Sequence, residues 1–244
     1  MNSPRNPFTR FAAFLGSYEI AVLCAIAGIA AGIWIFAVIA SEVSDGNSLS
    51  FDRFLLLAMR HPGDLSPIGS RAFQEAARDV TALGGAVILM LVTAATAGFL
   101  SLDGKRRMAG FVCLAVVTGT IASTILKDLF HRPRPDIVPH GMYVSTGSFP
   151  SGHSMLSAVT YLTLGALLAR SHERRAVKVY FLLLAAFLTF IVGVSRVYLG
   201  VHWPTDVLAG WTAGAVWALA CWLVARRLQT SHTLEAEAEH NRNS

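Results

Sequence analysis

Three short patterns of ionisable and small polar residues lie in the second half of the 244-residue chain. Lys127 is followed after six residues by Arg134 and Pro135, Pro150 to His153 read Pro-Ser-Gly-His, and Ser195-Arg196 precede His202 and Asp206. Lys127, Arg134 and Arg196 supply fixed positive charge, and the two guanidinium forks suit the oxygens of a phosphate. Ser151 and the amide of Gly152 are expected at a helix N-terminus, where unpaired N–H groups and the helix dipole favour an anion. A neutral, oriented His202 can attack phosphorus, with Asp206 four residues on accepting its other ring N–H. His153 can give a proton to the leaving oxygen and later take one from water. The chemistry expected is in-line phosphoryl transfer through a phosphohistidine, with neither metal nor cofactor.

The elements that must hold these groups are membrane helices. Charged residues make up only 14% of the chain, against roughly 25% in soluble proteins, and hydrophobic residues make up 54%. Six apolar runs approach the ~20 residues needed to cross a hydrocarbon core: 20–40, 80–100, 108–130, 151–169, 179–194 and 206–225. The fold expected is all-α, a polytopic membrane protein with six transmembrane helices. A segment 1–19 precedes a six-span unit 20–225, and 226–244 is a polar tail read as disordered. The first run is longer than a secretory h-region and is read as a retained anchor. Within the first long loop, Phe51, Phe54, Leu55 and Ala58 have helical spacing, which predicts a short helix in the interface.

Six spans put both termini on one side, with the basic clusters Lys105-Arg106-Arg107 and Arg174-Arg175. The positive-inside rule makes that side cytoplasmic. All the chemistry-bearing residues then fall on the opposite, extracytoplasmic side. The net charge of +5 is explained by this topology rather than by nucleic acid. Cys24, Cys113 and Cys221 are expected to be free, buried thiols. Gly28 and Gly32 form a GxxxG that offers either a dimer face or a close approach within the chain. Arg132, in tandem with Arg134, is assigned to headgroup or loop contacts, and His131 and His140 are left outside the catalytic set. A metal centre is disfavoured because the spacing fits no common zinc or two-metal pattern and three cations would repel a divalent ion. The competing reading, a lipid transporter or flippase using the same anion site, predicts broken helices and mid-membrane polar residues.

With these motifs in hand, the sequence resembles the type-2 phosphatidic acid phosphatase and vanadium-haloperoxidase superfamily. The family pattern is Lys, six residues, Arg-Pro; Pro-Ser-Gly-His; and Ser-Arg, five residues, His, three residues, Asp, and this chain matches each fixed position. The resemblance implies that Lys127, Arg134, Ser151, Gly152 and Arg196 bind phosphate, that His202 is the nucleophile assisted by Asp206, and that His153 is the acid. Hydropathy favours the membrane lipid phosphatase branch over the soluble haloperoxidases. The partner implied is a membrane lipid phosphate in a bilayer, in a bacterial inner (plasma) membrane. Undecaprenyl diphosphate, phosphatidate, phosphatidylglycerol phosphate and lipid A 1-phosphate all suit the site, and a prenyl diphosphate leads on family analogy alone.

Overall fold

The computed structural model describes residues 20–139 and 146–230. Within them the chain forms α1 (Ile20–Ser44), α2 (Leu49–Leu57), α3 (Arg71–Ala82), α4 (Ala86–Leu102), α5 (Arg106–Phe130), α6 (Gly152–Arg170), α7 (Arg175–Tyr198) and α8 (Pro204–Thr230). Helix α6 contains one π turn at Ala158–Leu162. Five of these helices are long and apolar enough to cross a membrane, and α3 with α4 makes a sixth if the bent pair counts as one span.

Packing follows the rule of a lipid solvent. Side chains that only lipid can satisfy face outward, and small or hydroxyl-bearing residues face other helices. Helix α6 is the least apolar of the five and the most internal, with 61% of its apolar stretch buried against 11–33% in the others. Its Ser154, Ser157, Thr160 and Thr163 are buried. Exposing such hydroxyls to hydrocarbon is unfavourable, which drives this helix to the centre. On α5, Leu114, Val117, Ile121 and Ile125 form an exposed stripe. The opposite stripe of Val112, Ala115, Gly119 and Ser123 is buried. Helix α7 repeats the pattern, with Leu183, Phe187 and Phe190 outward and Ala185, Thr189 and Gly193 inward.

Several expectations need correction. The run 80–100 is not one straight helix: α3 ends at Ala82, α4 begins at Ala86, and the two meet at 51°. The Gly84-Gly85 doublet is poor helix material, and a Cβ at Gly84 would lie 2.4 Å from Val192 Cγ1 and 3.2 Å from the His153 carbonyl oxygen. The break therefore lies where α4 meets α6 and α7. The last helix continues through Thr230, so the first residues of the segment 226–244 are helical; the segment 1–19 and the rest of that tail lie outside the described residues. The cysteines are free, but Cys24 is exposed and Cys113 and Cys221 are half-buried, since lipid accepts a thiol.

The GxxxG of α1 is occupied from within the chain. A Cβ at Gly28 would stand 3.2 Å from Leu219 Cδ1, and one at Gly32 2.4 Å from Val216 Cγ2, both on α8. The face considered for a dimer is thus covered by α8. The short helix of the first loop does form, as α2, with Phe51 and Phe54 exposed and Asp52 and Leu56 buried.

Candidate active site

Lys127, Arg196 and Asp206 extend the inward stripes of their helices toward one end of the bundle. Lys127 follows Gly119 and Ser123 at four-residue intervals on α5, and Arg196 stands one turn beyond the buried Val192 on α7. Asp206 stands one turn before Gly210, which approaches α6 so closely that a Cβ would lie 2.7 Å from the Ser151 carbonyl oxygen. Residues four apart share a helix face. The side chains are therefore delivered inward, beside the N-terminus of α6. The charges of Lys127, Arg134 and Arg196 all act on His153, and those of Arg134 and Arg196 act on His202.

His202 lies in the turn between α7 and α8 and is almost fully buried. Arg134 Nη1 donates to its Nε2 at 3.0 Å and to the Val201 carbonyl at 2.6 Å. A guanidinium only donates, so Nε2 must present a lone pair and the ring proton belongs on Nδ1. Nδ1 faces Asp206 Oδ2 at 3.4 Å and Ser148 Oγ at 3.4 Å. Burial pushes the imidazole from its ordinary 6.5 down to about 3, against the opposing pull of Asp206. The ring is therefore neutral at physiological pH, with its free lone pair directed at Arg134. Burial also lowers the proton affinity of Arg134, but a guanidinium stays charged at neutral pH.

Asp206 is fully buried and held on both oxygens. Oδ2 accepts from Ser148 Oγ and, at 2.9 Å, from the Trp203 amide; Oδ1 accepts from Arg132 Nη1 at 2.6 Å. Lys127 Nζ donates to the Gly147 carbonyl at 3.1 Å, while Arg134 also donates through Nε to the Thr146 carbonyl at 2.9 Å. These contacts draw the two cations together under the segment that leads into α6. Ser151 caps that helix: its Oγ accepts from the Ser154 amide at 3.4 Å and the Ser154 hydroxyl at 2.9 Å. The first-turn amides of Gly152 and His153 have no helical carbonyl within reach. Lys127 lies across Gly152, where a Cβ would stand 3.1 Å from Cε. Arg196 is buried and donates to Thr81 Oγ1 at 3.1 Å. His153 borders the α3–α4 break, its Nε2 3.9 Å from where a Cβ on Gly85 would be.

All eight residues expected from the sequence thus gather at one end of the bundle. The site also contains groups that the motifs did not indicate. Arg132, expected to make headgroup or loop contacts, is instead buried and pairs with Asp52 on α2 and Asp206 on α8. Its tandem position before Arg134 was the available signal, whereas Asp52, Thr81 and Ser148 are unremarkable in sequence. His131 is exposed and closes α5 in a left-handed conformation; His140 lies outside the described residues. Among the described residues, no three His, Cys, Asp or Glu side chains gather as metal ligands would.

A solved transmembrane PAP2-type phosphatidylglycerolphosphate phosphatase from Bacillus subtilis superposes with a TM-score of 0.72, at 25% identity, covering 82% of this chain and 96% of that one. Phosphatidylglycerophosphatase B of B. subtilis strain 168 is 36% identical over 116 residues, 45% of this chain and 55% of that protein. Undecaprenyl-diphosphatase of Sulfolobus acidocaldarius is 31% identical over 105 residues, 42% of this chain and 46% of that protein. The aligned region spans about half the length of these curated relatives. With its helices long and apolar enough to cross a bilayer, the molecule is an all-α integral membrane protein. The profile of the PAP2 superfamily matches residues 108–229, half of the chain and the half that holds all eight residues expected from the sequence, and the chain belongs to the PAP2 superfamily.

Proposed function

We propose that the protein is a membrane lipid phosphate phosphatase acting through a phosphohistidine, with residues 20–225 as its catalytic unit. The observation that carries this reading is the pairing of a neutral, lone-pair-bearing His202 with Arg134 at its attacking nitrogen, beside the α6 N-terminus. Arg134 Nη1 stands where an oxygen of the phosphoryl group would arrive, so an incoming phosphate replaces one acceptor for this guanidinium with another. Lys127, Arg196 and the first-turn amides of Gly152 and His153 complete the anion cradle. Ser151 contributes by capping the helix that presents those amides.

His202 Nε2 then attacks phosphorus in line, and the bond from phosphorus to the leaving oxygen breaks. His153 passes its proton to that oxygen, and Asp206 offsets the positive charge that develops on the phosphorylated imidazole. In the second half-reaction, water attacks phosphorus, gives a proton to His153, and releases inorganic phosphate while the P–N bond breaks. The substrate is an amphiphile whose chains stay in the bilayer while its phosphate enters the cradle. Phosphatidylglycerol phosphate, undecaprenyl diphosphate, phosphatidate and lipid A 1-phosphate fit this description. The positive-inside distribution of Lys and Arg supports an extracytoplasmic site with cytoplasmic termini.

The test is phosphate release by the purified protein from these four lipids in EDTA, with and without vanadate. Turnover of at least one lipid, unaffected by EDTA and blocked by vanadate, is expected. Loss in EDTA that magnesium restores contradicts the mechanism, and inactivity toward all four contradicts the assignment.

A further inference from the structure

A second buried ionic group adjoins the catalytic one. Arg132 donates through Nη1 to Asp206 Oδ1 at 2.6 Å and Thr205 Oγ1 at 2.8 Å, and through Nη2 to Asp52 Oδ2 at 2.6 Å and Ser48 Oγ at 3.2 Å. Asp52 takes up its remaining capacity at the start of α8, accepting from the Thr205 amide at 2.9 Å through Oδ1 and from the Thr205 hydroxyl at 2.8 Å through Oδ2. Asp52 and Asp206 are fully buried and Arg132 nearly so. The Arg132 guanidinium also lies over the Trp203 ring, 5.6 Å from its centroid. Three charges are thus withdrawn from solvent in a closed set whose end is the carboxylate facing His202.

We propose that Asp52 and Arg132 are positioning residues for the nucleophile: Arg132 clamps the Asp206 carboxylate so that Oδ2 faces His202 Nδ1, and Asp52 balances the Arg132 charge. The inference rests on the phosphatase reading above. The electrostatic reason is specific. Asp206 must support positive charge as the imidazole is phosphorylated, yet Arg132 contacts the same carboxylate and opposes that support. Asp52 neutralises Arg132, so the triad presents one net negative charge to His202. Replacing Asp52 by Asn leaves Arg132 uncompensated against Asp206, which weakens transition-state support without disturbing Lys127, Arg134 or Arg196. This arrangement also gives α2 a purpose, since it carries Asp52 inward although its neighbours Phe51 and Phe54 are exposed.

The experiment compares wild type, Asp52→Asn, Asp52→Glu, Asp206→Asn and the Asp52→Asn/Asp206→Asn pair, by lipid phosphate turnover, vanadate inhibition and the Nδ1–H proton resonance of His202. Asp52→Asn should lower kcat roughly 10-fold or more, in the range seen for groups that orient a catalytic side chain, with KM and vanadate inhibition within about 3-fold. Asp52→Glu should recover part of the loss, and Asp52→Asn should cost almost nothing further once Asp206 is Asn. Should the single variant not fold, Asp52→Asn/Arg132→Gln removes the two opposing charges together with the clamp, so that the net charge facing His202 is unchanged and kcat should fall through lost positioning alone, by less than in Asp206→Asn. Wild-type kcat in any of these foldable variants, or the same loss from Asp52→Asn in both backgrounds, overturns the proposal. The Nδ1–H resonance should shift in Asp52→Asn, and an unchanged resonance also overturns it. That last measurement needs no substrate, so a wild type inactive on every lipid phosphate refutes the functional reading while this inference is still decided.

Discussion

At the residue scale the decisive feature is the state of one imidazole. Arg134 fixes the tautomer of His202, and burial keeps it neutral, so its nucleophilic nitrogen is ready at neutral pH. His202→Ala should reduce turnover by at least ~10³-fold, as loss of a covalent nucleophile does, while the detergent-solubilised protein keeps its wild-type gel-filtration profile. More than a few percent residual activity would remove His202 from the mechanism. Asp206→Asn should be slower but measurable. The depressed pKa has a second consequence, for stability. Because the folded imidazole titrates far below the unfolded one, the unfolded chain alone takes up a proton as pH falls from 6.5 toward 3, and stability is lost across that window. At pH 5 the loss amounts to about 2 kcal/mol. The thermal midpoint in detergent should therefore drop more between pH 7.5 and pH 5 for wild type than for His202→Gln. Equal drops would contradict the burial argument.

At the element scale, the site is delivered by helix faces. Lys127, Arg196 and Asp206 each stand one turn from a small or buried neighbour on an inward stripe. The candidate set was readable before any geometry from the spacing of its motifs, whereas the inward stripes of Gly, Ser, Ala and Thr that carry it emerge only with the packing. What the sequence hid has physical causes. Asp52 reaches Asp206 through contacts more than seventy residues apart, for which helical periodicity carries no signal. The apolar spacing of Phe51 and Phe54 marked the outward face of α2 and gave no sign of the buried Asp52 on the other face, because in lipid large apolar residues mark the outside. The bend at Gly84-Gly85 escaped a hydropathy reading because Val80 to Ala86 carry no charge to interrupt the run. Close helix approach can be tested directly on α8, where a Cβ at Gly214 would stand 2.5 Å from Ala158 Cβ and 2.6 Å from the Met155 carbonyl oxygen. Gly214→Val should destabilise the protein by about 1–3 kcal/mol, the usual penalty for overpacking, seen as a lower thermal midpoint. Leu114→Val, on the exposed face of α5, should leave it unchanged. An unchanged midpoint for Gly214→Val would mean that α6 and α8 do not pack as described.

At the scale of the whole molecule, the helix ends sort by chemistry. Lys127, Arg134, His153, Arg196, His202 and Asp206 share one end, while Lys105 to Arg107 and Arg174-Arg175 lie at the other. In the proposed orientation, with the basic clusters on the cytoplasmic side, hydrolysis would take place at the extracytoplasmic leaflet. A single cysteine introduced at the exposed Asp64 in a Cys24, Cys113 and Cys221 to Ser background should react with an impermeant maleimide from outside intact cells. One introduced at the exposed Glu173 should react only after permeabilisation, and the reverse pattern would invert the topology. The covalent step on His202 is the centre of the proposed mechanism, and it is read most directly by rapidly quenching a single turnover with a ³²P-labelled lipid phosphate that the protein hydrolyses. Label should appear on the wild-type protein as an acid-labile, base-stable adduct that decays as free phosphate is released, and be missing from His202→Ala. Full turnover with no protein-bound label in the wild type, or equal label in His202→Ala, would contradict displacement by His202.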